Sequence, residues 1–158
     1  MKFIDDHVYR SLLALVVGWS ICSAAFADGV IVKNAWARAT APGQNTAGIY
    51  LDIASDAEAA LVGAASPVAA SAEMHAMRME NGVMKMRAVQ RIELPARTTV
   101  KLAPAGLHLM LVGIKQPLRA GERVPIELTI EAAGRVKSSL KVEAEVRPLT
   151  ATGEPHAH

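Results

Sequence analysis

Cysteine is almost missing from this chain: of 158 residues only Cys22 carries a thiol, and it sits in an apolar stretch near the start. That excludes an intrachain disulfide, a thiolate zinc cluster and dithiol redox chemistry. A blue-copper electron-transfer centre, which needs one cysteine thiolate beside its histidines, is excluded once the segment carrying Cys22 is removed. Aromatics are nearly as scarce, with two each of Phe, Trp and Tyr. Beyond residue 28 only Trp36 and Tyr50 remain, so the core must be built from Val, Leu, Ile and Ala, with Trp36 its one large aromatic. Charge of one sign never accumulates. The 17 basic and 15 acidic residues are interspersed and leave a formal charge of +2. Without a basic cluster or an aromatic stacking platform, nucleic acid is not an expected partner. No serine–histidine–acid grouping or carboxylate pair stands out either, so an enzyme is not expected.

What is present begins with an export signal. Lys2 and Arg10 precede SLLALVVGWSICSAAFA, which ends in Ala25-Phe26-Ala27, with small residues where signal peptidase accepts them. Residues 1–27 therefore read as a signal peptide cleaved after Ala27, and the protein is expected to be exported. The apolar run, about 15 residues, is shorter than the roughly 20 that span a bilayer, so no membrane attachment is expected after cleavage. Trp19-Ser20-Ile21 before Cys22 is not the small-residue approach of a lipoprotein site. Residues 28–148 suffice for one folded domain, and residues 149–158 read as a flexible tail carrying His156 and His158.

Within 28–148, short apolar runs alternate with Gly, Pro, Asn and Ser, and none sustains a helical period. The rhythm predicts an all-β sandwich or barrel. Expected strands are Val30 to Arg38, TAGIYLDIA, ALVGAA, TTVKL, LHLMLVGI, and a final pair VPIELTIEA and RVKSSLKVEAEV around Gly134. AEMHAMRME and VMKMRAV flank Asn81-Gly82, a strong two-residue hairpin signal. That loop sets Met79 opposite Met84, Met77 opposite Met86 and His75 opposite Ala88, with His75 diagonal to Met86. In LHLMLVGI, alternation gives Leu107, Leu109 and Leu111 to the core. His108 and Met110 are left on the opposite face or at an edge.

Six of the seven methionines and two of the five histidines fall between Met74 and Met110. Thioethers are soft, neutral ligands, and imidazole serves many transition metals, so His75, Met86, His108 and Met110 together favour copper(I). Zinc would ask for thiolate or three firm nitrogen or oxygen ligands. Each residue alone reads more simply, methionine as core filler and histidine as hydrogen-bonded structure. The grouping on shared strand faces is what points to metal.

The spacing His75, ten residues, Met86, twenty-one residues, His108, one residue, Met110 resembles the His-x10-Met-x21-His-x-Met signature of the PCuAC family of periplasmic copper chaperones. NAWARAT, TAGIYLDI, ALVGAASPVA, NGVMKMR and LHLML extend the likeness over nearly all of residues 30–145. The resemblance implies a cupredoxin-like Greek-key β-barrel binding one Cu(I) through those four residues. It also implies supply of copper to the Cu-A centre of cytochrome c oxidase, with subunit II or a Sco-type protein as acceptor. Two departures are Ala76, where an acidic residue often follows the first histidine, and Pro104-Ala105-Gly106, where Pro-Gly-Gly is usual.

Outside the signature, Met74, Met77, Met79 and Met84 read as lining, shielding or core, with Met77 or Met84 as secondary copper contacts during transfer. His156 and His158 are either a solvated tail or a weaker Cu(II) or zinc site. A monomer is expected. Two other functions fit the same residues: a periplasmic copper-buffering or tolerance protein, and a metal-free secreted β-sandwich used for interaction.

Overall fold

The computed structural model describes residues 29–152; the expected signal segment, Cys22, His156 and His158 lie outside the described residues. Ten strands follow one another: β1 (Val30–Arg38), β2 (Thr46–Ser55), β3 (Ala59–Ala65), β4 (Ser71–Glu80), β5 (Val83–Val89), β6 (Ile92–Leu94), β7 (Thr99–Leu102), β8 (Leu107–Val112), β9 (Arg123–Ala132) and β10 (Lys137–Arg147). The one helical piece among the described residues is a 3-10 turn at Ala133–Arg135, where Gly134 and Arg135 take positive φ between β9 and β10. The expected strands are present, and the short β6 is added to them.

The strands form one sheet in the order β5-β4-β8-β7-β2-β1-β10-β9-β3-β6, in which β8 also bonds β2 and β4 also bonds β3. The β3–β4 contact, Ala64 against Ala72, closes the sheet into a barrel. Closure removes two edges that would otherwise need protection. Just past it β4 parts from β3 and carries β5 as a projecting hairpin.

Strand alternation sorts the side chains. Ile49, Leu51 and Ile53 of β2, Leu109 and Leu111 of β8, Met74 of β4 and Val124, Ile126, Leu128 and Ile130 of β9 fill the interior, each at most 6% exposed. Removing one such leucine side chain costs about 2–5 kcal/mol, so this layer holds the barrel together. The outer face of β2, β8 and β4 carries Gly48, Tyr50, His108, Met110, Glu73, His75 and Met77 instead.

Trp36 departs from expectation. It is buried, at 4% exposure, but lies outside the aliphatic cluster. The cause is a bulge: Lys33 pairs with Asp52 and Trp36 with Tyr50, so β1 spends one more residue than β2. Asn34, at φ 52°, takes the extra position and donates to Asp52 Oδ2 at 2.8 Å. Without the bulge, alternation from Val32 would turn Trp36 inward. With it, Ala37 points in and Trp36 stacks on Tyr50 outside, ring centroids 4.5 Å apart. The guanidiniums of Arg147 and Arg38 cover it at 5.1 and 5.9 Å.

Candidate metal centre

The site is assembled by two pairings, one local and one distant. Locally, Asn81 and Gly82 take φ of 53° and 78°, the positive values a two-residue hairpin turn requires. The register is as expected: Met79 faces Met84, Met77 faces Met86 and His75 faces Ala88. The distant pairing is that of β4 with β8, which sets His75 directly opposite His108 and Glu73 opposite Met110. β8 is bonded to β2 on its other side, where Gly48 faces Met110.

His108 is the anchor, only 3% exposed although it points away from the core. Its Nδ1 lies 3.1 Å from the Gly106 carbonyl oxygen. A carbonyl can only accept, so Nδ1 carries the proton and Nε2 is left with a lone pair. That nitrogen faces the Met86 sulfur at 3.2 Å. A lone-pair nitrogen and a thioether sulfur brought side by side are ligand types that suit a soft cation. Burial, and secondarily the neighbouring His75, hold the His108 pKa below its usual value against the pull of the Gly106 carbonyl. Both effects favour the neutral imidazole, the form able to bind a metal.

His75 is tied from outside. Its Nε2 donates to Glu73 Oε2 at 2.8 Å, and its buried Nδ1 has no hydrogen-bond partner. A carboxylate on one ring nitrogen fixes the tautomer and sharpens the other as a ligand. The two imidazoles stand 5.6 Å apart between centroids and nearly perpendicular, at 73°. Met110 follows His108 by two residues on the same face and is half-buried. Three of the four expected ligands thus form one cluster, and the fourth flanks it on β8.

Behind the cluster lies an aromatic layer. Tyr50 stands 6.3 Å from His108 and folds back over its own strand onto Gly48. A Cβ at position 48 would collide with the Tyr50 hydroxyl and ring, so any other residue there would push the ring aside. Burial raises the Tyr50 pKa, opposed by Arg38, and the ring remains a neutral wall.

The other methionines divide. Met74 points into the core and cannot line the site. Met77 is half-buried beside Met86, whereas Met79 and Met84 are exposed on the same hairpin face. Among the described residues no three or more His, Cys, Asp or Glu gather as they would for a hard divalent ion. Sequence reasoning overlooked Glu73, Tyr50 and Gly48. The alternation Glu73-x-His75 signals the first; the Gly48–Tyr50 fit carries no recognisable pattern.

Comparison with known proteins agrees with this architecture. The solved PCuAC domain of PmoF2, described as copper-bound, superposes with a TM-score of 0.62 at 24% identity, over 76% of this chain and 93% of that one. The barrel is thus the cupredoxin-like fold of PCuAC domains. The solution structure of apo-DR1885 from Deinococcus radiodurans gives 0.56 at 35% identity over 76% and 79% of the two chains. Its counterpart described as CuI-DR1885 gives 0.54 at 34% over 84% and 89%. Among curated proteins, "Putative lipoprotein Lxx21020" of Leifsonia xyli subsp. xyli is 38% identical over 65% of this chain. The match spans 62% of that relative's length. Residues 30–142 match the family model described as "Putative lipoprotein LpqE-like", and the chain belongs to this LpqE-like family.

Proposed function

We propose that this protein is a copper chaperone that carries a single Cu(I) ion on His75, Met86, His108 and Met110 and passes it to a protein acceptor, without turning over a substrate. The observation that carries the reading is the 3.2 Å approach of His108 Nε2 to Met86 Sδ, beside the unpartnered His75 Nδ1. Two thioethers and two neutral imidazoles match a soft monovalent ion and suit a divalent one poorly. The copper-bound descriptions of the PmoF2 domain and of DR1885 support the same cargo.

The acceptor we propose is the Cu-A centre of cytochrome c oxidase, reached through subunit II directly or through a Sco-type protein. The carrier acts as a periplasmic monomer, released by cleavage after Ala27 and not tethered through Cys22. No helix among the described residues is long and apolar enough to cross a membrane. His156 and His158 would add at most a weaker Cu(II) site.

The test is anaerobic transfer. Protein loaded with one equivalent of Cu(I) is mixed with the soluble domain of oxidase subunit II, and copper is counted on each after separation. Movement of copper to the acceptor is the expected result, and His108→Ala should load the ion only weakly. Retention of the ion by the carrier at every acceptor concentration would favour a buffering role instead.

A further inference from the structure

The hairpin that supplies Met86 continues outward, and its two faces differ sharply. On one, Glu80 binds Arg87 at 2.7 and 2.8 Å and Lys85 at 3.3 Å, a solvated charge network. On the other, the four positions next to the turn are all methionine: Met77 opposite Met86 and Met79 opposite Met84. Met79 is 64% exposed and Met84 43%. Plain strand stability would favour branched or aromatic residues at such positions, because the unbranched thioether loses more freedom and fills a pleated surface less well. A simple apolar patch would not need sulfur at every place.

We propose that Met77, Met79 and Met84 form a second, exposed Cu(I) site made of thioethers alone, one step outward from the cluster of His75, Met86 and His108. Opposite residues in an antiparallel pair have Cβ atoms about 4.5–5.5 Å apart and diagonal ones about 7–8 Å or less, and the flexible methionine side chain closes both gaps onto one ion. Met77 is half-buried and directly opposite Met86, so it links the two sites. Three neutral sulfur ligands hold a monovalent soft ion and reject zinc and other harder divalent ions. The site deepens the reading of the protein as a Cu(I) carrier and rests on it: copper arrives at or leaves from the hairpin tip, where an acceptor's ligands can reach it.

The experiment counts Cu(I) equivalents anaerobically against a graded chelator, using the full chain, the Met79→Leu/Met84→Leu variant and His108→Ala. Both methionines are exposed, so the double variant keeps its fold. Wild type should take two equivalents, the second at least tenfold weaker. The double variant should keep only the first, and His108→Ala only the weaker one. A wild-type stoichiometry of one, or a double variant that still takes two, overturns the second site. Should His108→Ala keep the tight equivalent, the main ligand set fails, and a weak equivalent lost only in the double variant would still uphold the outer site.

Discussion

The two strands that supply His108 and Met86 differ in nearly every physical respect. β8 is bonded on both sides, its leucines anchor the core, and His108 is 3% exposed with its far nitrogen held by Gly106. β5 is bonded on one side only, every side chain from Val83 to Ala88 is exposed, and Met86 is 48% exposed on a flexible stem. Local opening is easiest where few apolar contacts and many solvated backbone bonds hold a segment. One side of the site is therefore fixed and the other yields. A carrier needs both, since it must select the ion with preset geometry and surrender it by ligand exchange.

The sharpest break in that comparison comes from substituting the two sides in turn. His108→Ala should weaken Cu(I) binding by more than ~100-fold in chelator competition, because loss even of a ligand's outer partner can reach that figure. Met86→Leu should weaken it less, by about 10-fold, and act mainly by speeding release; its effect on folding should stay within about 0.5 kcal/mol, as for an exposed position. Equal losses for the two variants would mean the sides are not different.

Gly48→Ala probes the fixed side without touching a ligand. Its Cβ collides with the Tyr50 ring, so unfolding by denaturant should be easier by about 1–3 kcal/mol, the usual penalty of overpacking. A smaller loss of Cu(I) affinity should accompany it as Tyr50 shifts against His108. Wild-type stability would show that the aromatic layer is slack.

Glu73→Gln should lower affinity about 10-fold, the lower end of what outer partners contribute, with an unchanged melting curve for the metal-free protein. An unaltered affinity would mean Glu73 does not orient His75.

The smallest expected effect is on the metal-free protein in acid. The folded-state pKa of His108 lies below its usual value of 6.5, so the unfolded chain takes up the proton first. The stability this contributes is complete above the usual histidine value and is lost as pH falls through the lowered one. Melting temperature should therefore drop across that window, and less so in His108→Asn. An identical slope in both proteins would remove His108 from the account.

How much of this was readable beforehand divides by range of interaction. The hairpin register was legible because Asn81-Gly82 dictates it locally, and with it the Met77–Met86 and Met79–Met84 pairs. The inward leucines of β8 were legible from alternation. That His75 faces His108 was not, because β4 and β8 are 26 residues or more apart between their nearest ends and no local rule selects which strands meet. The burial of His108 followed from that pairing and from Tyr50, so alternation alone put it merely opposite the core. Trp36 was misplaced for a related reason: a single extra residue at Asn34 reverses the alternation, and an asparagine there looks like any other surface residue.

The most direct measurement is X-ray absorption at the copper edge on the full chain loaded with one equivalent of Cu(I). Two sulfur and two nitrogen neighbours are the expected shell, and His108→Ala should lose nitrogen from it. A shell of sulfur alone, or of nitrogen and oxygen without sulfur, would contradict the assignment of His75, Met86, His108 and Met110.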